Sequence, residues 1–110
     1  MATQASVHVE RAKAAWPILV HRARSGNGPM TYGELSAAIG VHHRTARFFL
    51  GVIQRHCIEN ALPKLQALVV NKQTRVPGGG YLGERGRKSH QREVAAVTAY
   101  AWPVRPPKFK

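Results

Sequence analysis

The segment Thr31-Tyr-Gly-Glu34, followed by Gly40, delimits a short helix at both ends before any count of residues is made. Thr31 and Glu34 have capping-box spacing: the Thr31 hydroxyl accepts from the Glu34 N–H and the Glu34 carboxylate returns to the Thr31 N–H. Leu35, Ala38 and Ile39 form the apolar face, and Gly40 stands where a left-handed residue closes the helix. A longer helix is expected over about His43 to Asn60. Stepping 100° per residue places Phe48, Phe49, Val52, Ile53, His56 and Cys57 on one side, and Arg44, Arg47, Gly51, Gln54 and Arg55 on the other. Pro63 ends it. A short helix, a brief turn and a longer helix with a basic outer face is a helix-turn-helix pattern.

The flanks extend the pattern into a domain. Val9, Ala12, Trp16, Leu19, Val20 and Ala23 form a helical stripe over Val7 to Arg24. Pro17 interrupts it, so a short leading helix and a second one beginning near Trp16-Pro17 are expected. Ser25 to Pro29 reads as a turn. Leu68-Val-Val70 suits a buried strand, followed by a basic, glycine-rich loop from Lys72 to Gly80. Arg85 to Gln91 is polar, Glu93 to Ala101 resumes helical spacing through Val94, Val97 and Tyr100, and Pro103 breaks it. The expected fold is a mainly helical α+β domain, winged-helix-like, with an N-terminal and a C-terminal helix over residues 1–102. Residues 103–110 form a mobile, basic, Pro-containing tail.

A chain of 110 residues suits one domain with one modest core. Seventeen Lys and Arg against five Asp and Glu give a formal charge of +12, which calls for an anionic partner. Nucleic acid leads, ahead of a membrane surface or an acidic protein. The single Cys57 excludes an intramolecular disulfide and a multi-cysteine zinc site. Met1 to Glu10 has no apolar core of the secretory kind, and no apolar run approaches the roughly 20 residues that cross a bilayer. The cytoplasm is the expected compartment.

Catalysis is not expected. Glu10, Glu59, Glu84 and Glu93 are scattered, Glu34 is used by the cap, and no serine has a nucleophile's context. His42, His43 and His56 lack metal-ligand spacing, so neither metal nor cofactor is expected. Cys57 is read as a packing thiol, and Trp16 and Trp102 as core residues. The candidate DNA-binding residues are Arg44, Arg47 and Arg55, with Gln54 and Gly51 on the same face and His43 in the turn beside it. A solvated charged face is the alternative, and net charge favours DNA. Lys72, Arg75 and Gly79 form a candidate wing, with a plain hairpin loop as its alternative. Arg85, Arg87, Lys88 and Arg92 are a second basic cluster. A rival function is a small protein-interaction module or inhibitor, phage- or host-encoded, contacting an acidic surface of a larger enzyme. No dimer face is evident, and oligomeric state stays open.

The order Thr31-Tyr-Gly-Glu-Leu-Ser-Ala-Ala-Ile-Gly40, an Arg-Thr-Ala-Arg helix, a strand, then Pro-Gly-Gly-Gly-Tyr81 resembles the DNA-binding winged-helix domain of the O6-alkylguanine-DNA alkyltransferases and the alkyltransferase-like proteins. The likeness covers roughly Met30 to Gly83. In that family a tyrosine of the Tyr-x-x-Leu segment and an arginine of the recognition helix help turn a damaged nucleotide out of the stack. The resemblance implies these roles for Tyr32 and, with one residue inserted after Gly40, for Arg47. The family's Pro-Cys-His-Arg motif falls near Leu68 to Asn71, where this chain has Leu-Val-Val-Asn. The resemblance therefore implies DNA binding without alkyl transfer.

Overall fold

A computed structural model describes residues 4–78 and 86–109. The elements run α1 (Gln4–Ser25), β1 (Met30–Thr31), α2 (Tyr32–Ile39), a 3-10 turn (His43–Thr45), α3 (Ala46–Glu59), a second 3-10 turn (Leu65–Leu68), β2 (Val69–Val70) and α4 (Arg87–Ala99). The described residues are mainly helical, with one small two-stranded sheet.

Contrary to the two helices expected around Pro17, α1 is one helix with Pro17 inside it. Proline removes one i to i−4 hydrogen bond, and tertiary packing outweighs that loss. Ala12, Ala15, Trp16, Leu19, Val20 and Ala23 are all buried along a single stripe. At its end Arg22 donates to the Gly28 carbonyl at 2.7 Å and the Pro29 carbonyl at 2.9 Å, which fixes the turn leading to β1.

The expected cap of α2 is present in full. The Thr31 hydroxyl accepts from the Glu34 N–H and the Thr31 N–H donates to the Glu34 carboxylate, each at 3.1 Å. Those bonds hold the Glu34 carboxyl below its ordinary pKa; the Thr31 backbone N–H contributes most, and Arg22 and Arg75 add a smaller attraction. Gly40 has φ 76°, and the Gly40 and Val41 N–H groups donate to Ala37 and Ser36. This is the Schellman closure, in which a left-handed residue redirects the chain into the next turn. There His42 Nδ1 accepts from the Arg44 N–H at 3.1 Å, so the first turn of the expected long helix is 3-10 and α3 starts at Ala46.

β1 and β2 pair in parallel, Met30 with Val69 and Thr31 with Val70. This pairing sets the start of α2 beside the segment after β2. The core lies between α1, α3 and residues 65–70, closed by Val97 and Trp102. Cys57 is buried in it, and burial pushes the thiol pKa up.

Two segments differ from the sequence reading at the C-terminal end. α4 begins at Arg87, because His90 is buried and its Nε2 lies 2.8 Å from the Ala67 carbonyl, which anchors a turn that has no apolar period of its own. The tail is docked along residues 103–109. Trp16 Nε1 donates to the Pro103 carbonyl at 2.9 Å, Arg24 donates to the Trp102 carbonyl at 2.7 Å, and the Phe109 ring meets Trp16 and His56 edge-on at 5.8 and 5.5 Å.

His56 sits against this aromatic group, and desolvation lowers its pKa below the ordinary value, with Glu59 opposing. The unfolded chain then takes up this proton at a higher pH than the folded one. His56 is stabilising in full above the ordinary histidine value of about 6.5, and that stability is lost as pH falls through the lower folded value. Thermal melts between roughly pH 7.5 and 5 should show the fall, and His56→Gln should flatten it in this window. An unchanged pH profile in the variant would contradict this placement.

Candidate nucleic-acid interface

α2, the 3-10 turn and α3 converge on a cavity of about 240 Å³. Its exposed rim is His43, Arg44 and Arg47, and its interior is lined by the buried Ala46, Leu50, Gln54 and Gln66. Tyr32 and Gly78 close the side nearest the sheet, where the Gly78 N–H donates to the Tyr32 hydroxyl at 2.6 Å. A Cβ at Gly78 would lie 3.3 Å from that hydroxyl, so the absence of a side chain there permits the close approach. Gly51 also lines the cavity, and nothing lies within 4 Å of where its Cβ would stand. Close helix packing thus does not account for Gly51; it leaves open space on the cavity wall.

Six of the ten candidate residues are brought together here: Tyr32, His43, Arg44, Arg47, Gly51 and Gln54. Arg55 lies apart, exposed in a neighbouring groove with His8, Phe48 and Ile58. Lys72 and Arg75 are exposed on a tight turn in which the Asn71 side chain accepts from the Gln73 and Thr74 N–H groups at 2.9 and 3.4 Å. The Asn71 N–H donates to Val76, the Arg75 N–H donates to Asn71, and Arg75 takes φ 60°. Gly79 lies outside the described residues, as do Tyr81 and Arg85.

α3 packs in a different phase from the one its spacing predicts. Its buried face runs through Ala46, Phe49, Leu50, Ile53 and Cys57, so Phe48 is 45% exposed rather than core, and Gln54 is only 8% exposed rather than a surface residue. Phe48 instead organises the rim: its ring stacks on His8 at 5.0 Å, and the Arg47 guanidinium lies 4.8 Å from the ring centroid. A guanidinium held over an aromatic ring loses less freedom when it meets an anion.

Gln66, in the 3-10 turn before β2, stands outside every expectation drawn from helix spacing. It is 4% exposed, and its Nε2 donates to Gln54 Oε1 at 3.2 Å, while its own Oε1 has no hydrogen-bond partner. A buried acceptor left this way costs about 1–3 kcal/mol, and native structures contain few of them. The sequence carried a signal: Gln66 is the one polar residue in the run from Leu65 to Val70.

Comparison with protein-family models, with curated proteins and with solved structures gives no match. The functional reading therefore stands on the geometry of the cavity and on charge. Leu68, Val69 and Val70 are wholly or almost wholly buried. Among the described residues no group of three or more His, Cys, Asp or Glu could hold a metal ion, and no helix is long and apolar enough to cross a membrane.

Proposed function

We propose that this chain is a non-catalytic, cytoplasmic DNA-binding protein of winged-helix type, with α3 as its recognition helix. The observation that carries the reading is the gathering of His43, Arg44 and Arg47 around the mouth of one cavity, on a chain of net charge +12. A helix with basic side chains at its N-terminal end suits a DNA groove, where arginine bridges phosphates or pairs bidentately with guanine. Tyr32 abuts the DNA backbone from the start of α2, and its bond to Gly78 supports the adjoining turn. Lys72 and Arg75 on that turn follow phosphates. The two exposed apolar side chains Phe48 and Ile58 beside Arg55 favour, as a second reading, a contact with an acidic surface of a larger protein.

Titrating the isotope-labelled protein with a short duplex tests the first reading. Backbone amide shifts are expected for Tyr32, for residues 43–55 and for residues 71–78. Shifts confined to α4 and residues 100–109 would overturn it.

A further inference from the structure

We infer that the outward side of α3 docks a second helix, an acidic amphipathic segment of a partner protein, and that this partner and DNA exclude one another. The docking goes beyond the DNA-binding reading above; the exclusion rests on it.

α3 turns Ala46, Phe49, Leu50, Ile53 and Cys57 to the core, while on its other side Phe48, Gly51, Arg55 and Ile58 follow one another at steps of three, four and three residues. That is the spacing of a coiled-coil seam, by which one helix receives another. The seam lies in a groove of about 600 Å³ that α3 shares with His8 and Val9 of α1. Phe48, 45% exposed, and Ile58, 50% exposed, stand at its two ends. Ten residues separate them, about 15 Å along the axis, which matches roughly three turns of a partner helix.

Each seam position specifies its counterpart. Phe48 and Ile58 take apolar side chains, and at Gly51, where nothing lies within 4 Å of a Cβ, there is a hole for a bulky knob. Arg55 takes a carboxylate. It is exposed, and the ion pairs among the described residues join Lys13 to Glu10 and Lys64 to Glu93, leaving Arg55 out. Arg47, with its guanidinium 4.8 Å from the Phe48 ring centroid, adds a second cation at the head of the groove, and Glu59 stands at its foot. A second copy of this chain would bring a further net charge of +12 to a seam that already holds an unpaired arginine, so the fitting occupant is an acidic partner. Arg47 also borders the cavity beside α2, on the face assigned to DNA. A carboxylate that takes Arg47 withdraws it from phosphate, which is the basis of the exclusion.

The test is fluorescence anisotropy with two labelled helical peptides of about 18 residues, long enough to hold a helix. Both carry leucines at the seam positions, one glutamate placed to meet Arg55 in a parallel or an antiparallel pairing, and glutamates at the end that meets Arg47. One of the two should bind at least about tenfold more tightly than a scrambled peptide of the same composition, and should displace a labelled duplex. Ile58→Ser, at an exposed position where folding is not at stake, should weaken that peptide about tenfold and leave duplex affinity unchanged. Arg55→Glu should transfer the preference to a peptide with lysine at the facing position. Scrambled peptides that bind as tightly as the ordered ones would overturn the docking, and so would an Ile58→Ser variant that loses duplex affinity as much as peptide affinity, which would assign the patch to DNA. Peptide and duplex bound together would overturn the exclusion alone. Peptide binding without any duplex binding would overturn the DNA reading, and the exclusion with it, while the docking stands.

Discussion

Replacing Arg44 and Arg47 together by alanine is expected to weaken duplex binding by about a hundredfold at fixed salt, because an arginine that meets a base edge contributes roughly 1–3 kcal/mol and two are removed. Both side chains are exposed, so the melting temperature should hardly move; surface changes of this kind are usually worth within about 0.5 kcal/mol. Anisotropy titrations and melting curves on the same samples separate the two effects. A fall in affinity under about threefold would remove this face from the interface, whatever the rest of the surface does. Phe48→Ala should act in the same direction and more weakly, since it frees the Arg47 guanidinium without deleting it.

The second large effect is on the fold. Trp16→Ala is expected to cost about 3–5 kcal/mol, the range for emptying a large aromatic site in a core. Trp16 is 1% exposed, meets Trp102, Phe109 and His56 edge-on, and donates to the Pro103 carbonyl. Its loss opens the core and frees the docked tail at once. Since a domain's whole stability is about 5–15 kcal/mol, the variant should unfold at much lower urea, or not fold at all. A loss below about 1 kcal/mol in urea titration would contradict the packing described for the α1 stripe.

Local chemistry was legible in the sequence and long-range pairing was not. The Thr31–Glu34 capping box and the left-handed Gly40 depend on residues a few positions apart, and both stand as expected. Trp16, Trp102 and Cys57 are buried as their chemistry suggested. Pro17 misled because its local cost was visible, whereas the buried stripe that outweighs it depends on the partners of α1. The phase of α3 differs from the expected one for a related reason. Counting every large apolar residue equally put Phe48 inside. The helix actually packs along Ala46, Phe49, Leu50, Ile53 and Cys57, and Gln54 is drawn in by Gln66, twelve residues further on. Such a partner has no local signature. α4 began early for the same kind of reason, since its first turns are anchored by His90 reaching the Ala67 carbonyl. Pro and Lys give the tail no period, so nothing local signals that Phe109 docks on Trp16 and His56.

The candidate site divides along the same line. Arg44, Arg47 and Gly51 could be placed on one helix face from spacing alone, and they do share the cavity. Tyr32 joins them through the parallel pairing of β1 with β2, and Gln66 through the turn before β2; neither is a neighbour of α3 in sequence.

The central claim is that an arginine-rimmed face binds duplex DNA, and the most direct measurement is anisotropy of a labelled duplex across a salt series, with heparin as a competing polyanion. Phosphate contacts release counterions, so log affinity falls linearly with log salt at about −0.9 per contact. With Lys72 and Arg75 each meeting a phosphate, and Arg44 and Arg47 adding to the count wherever they bridge a phosphate instead of a base edge, the slope should lie between about −2 and −4, and duplex should outcompete heparin. A slope near zero, or duplex binding no tighter than heparin, would contradict the account.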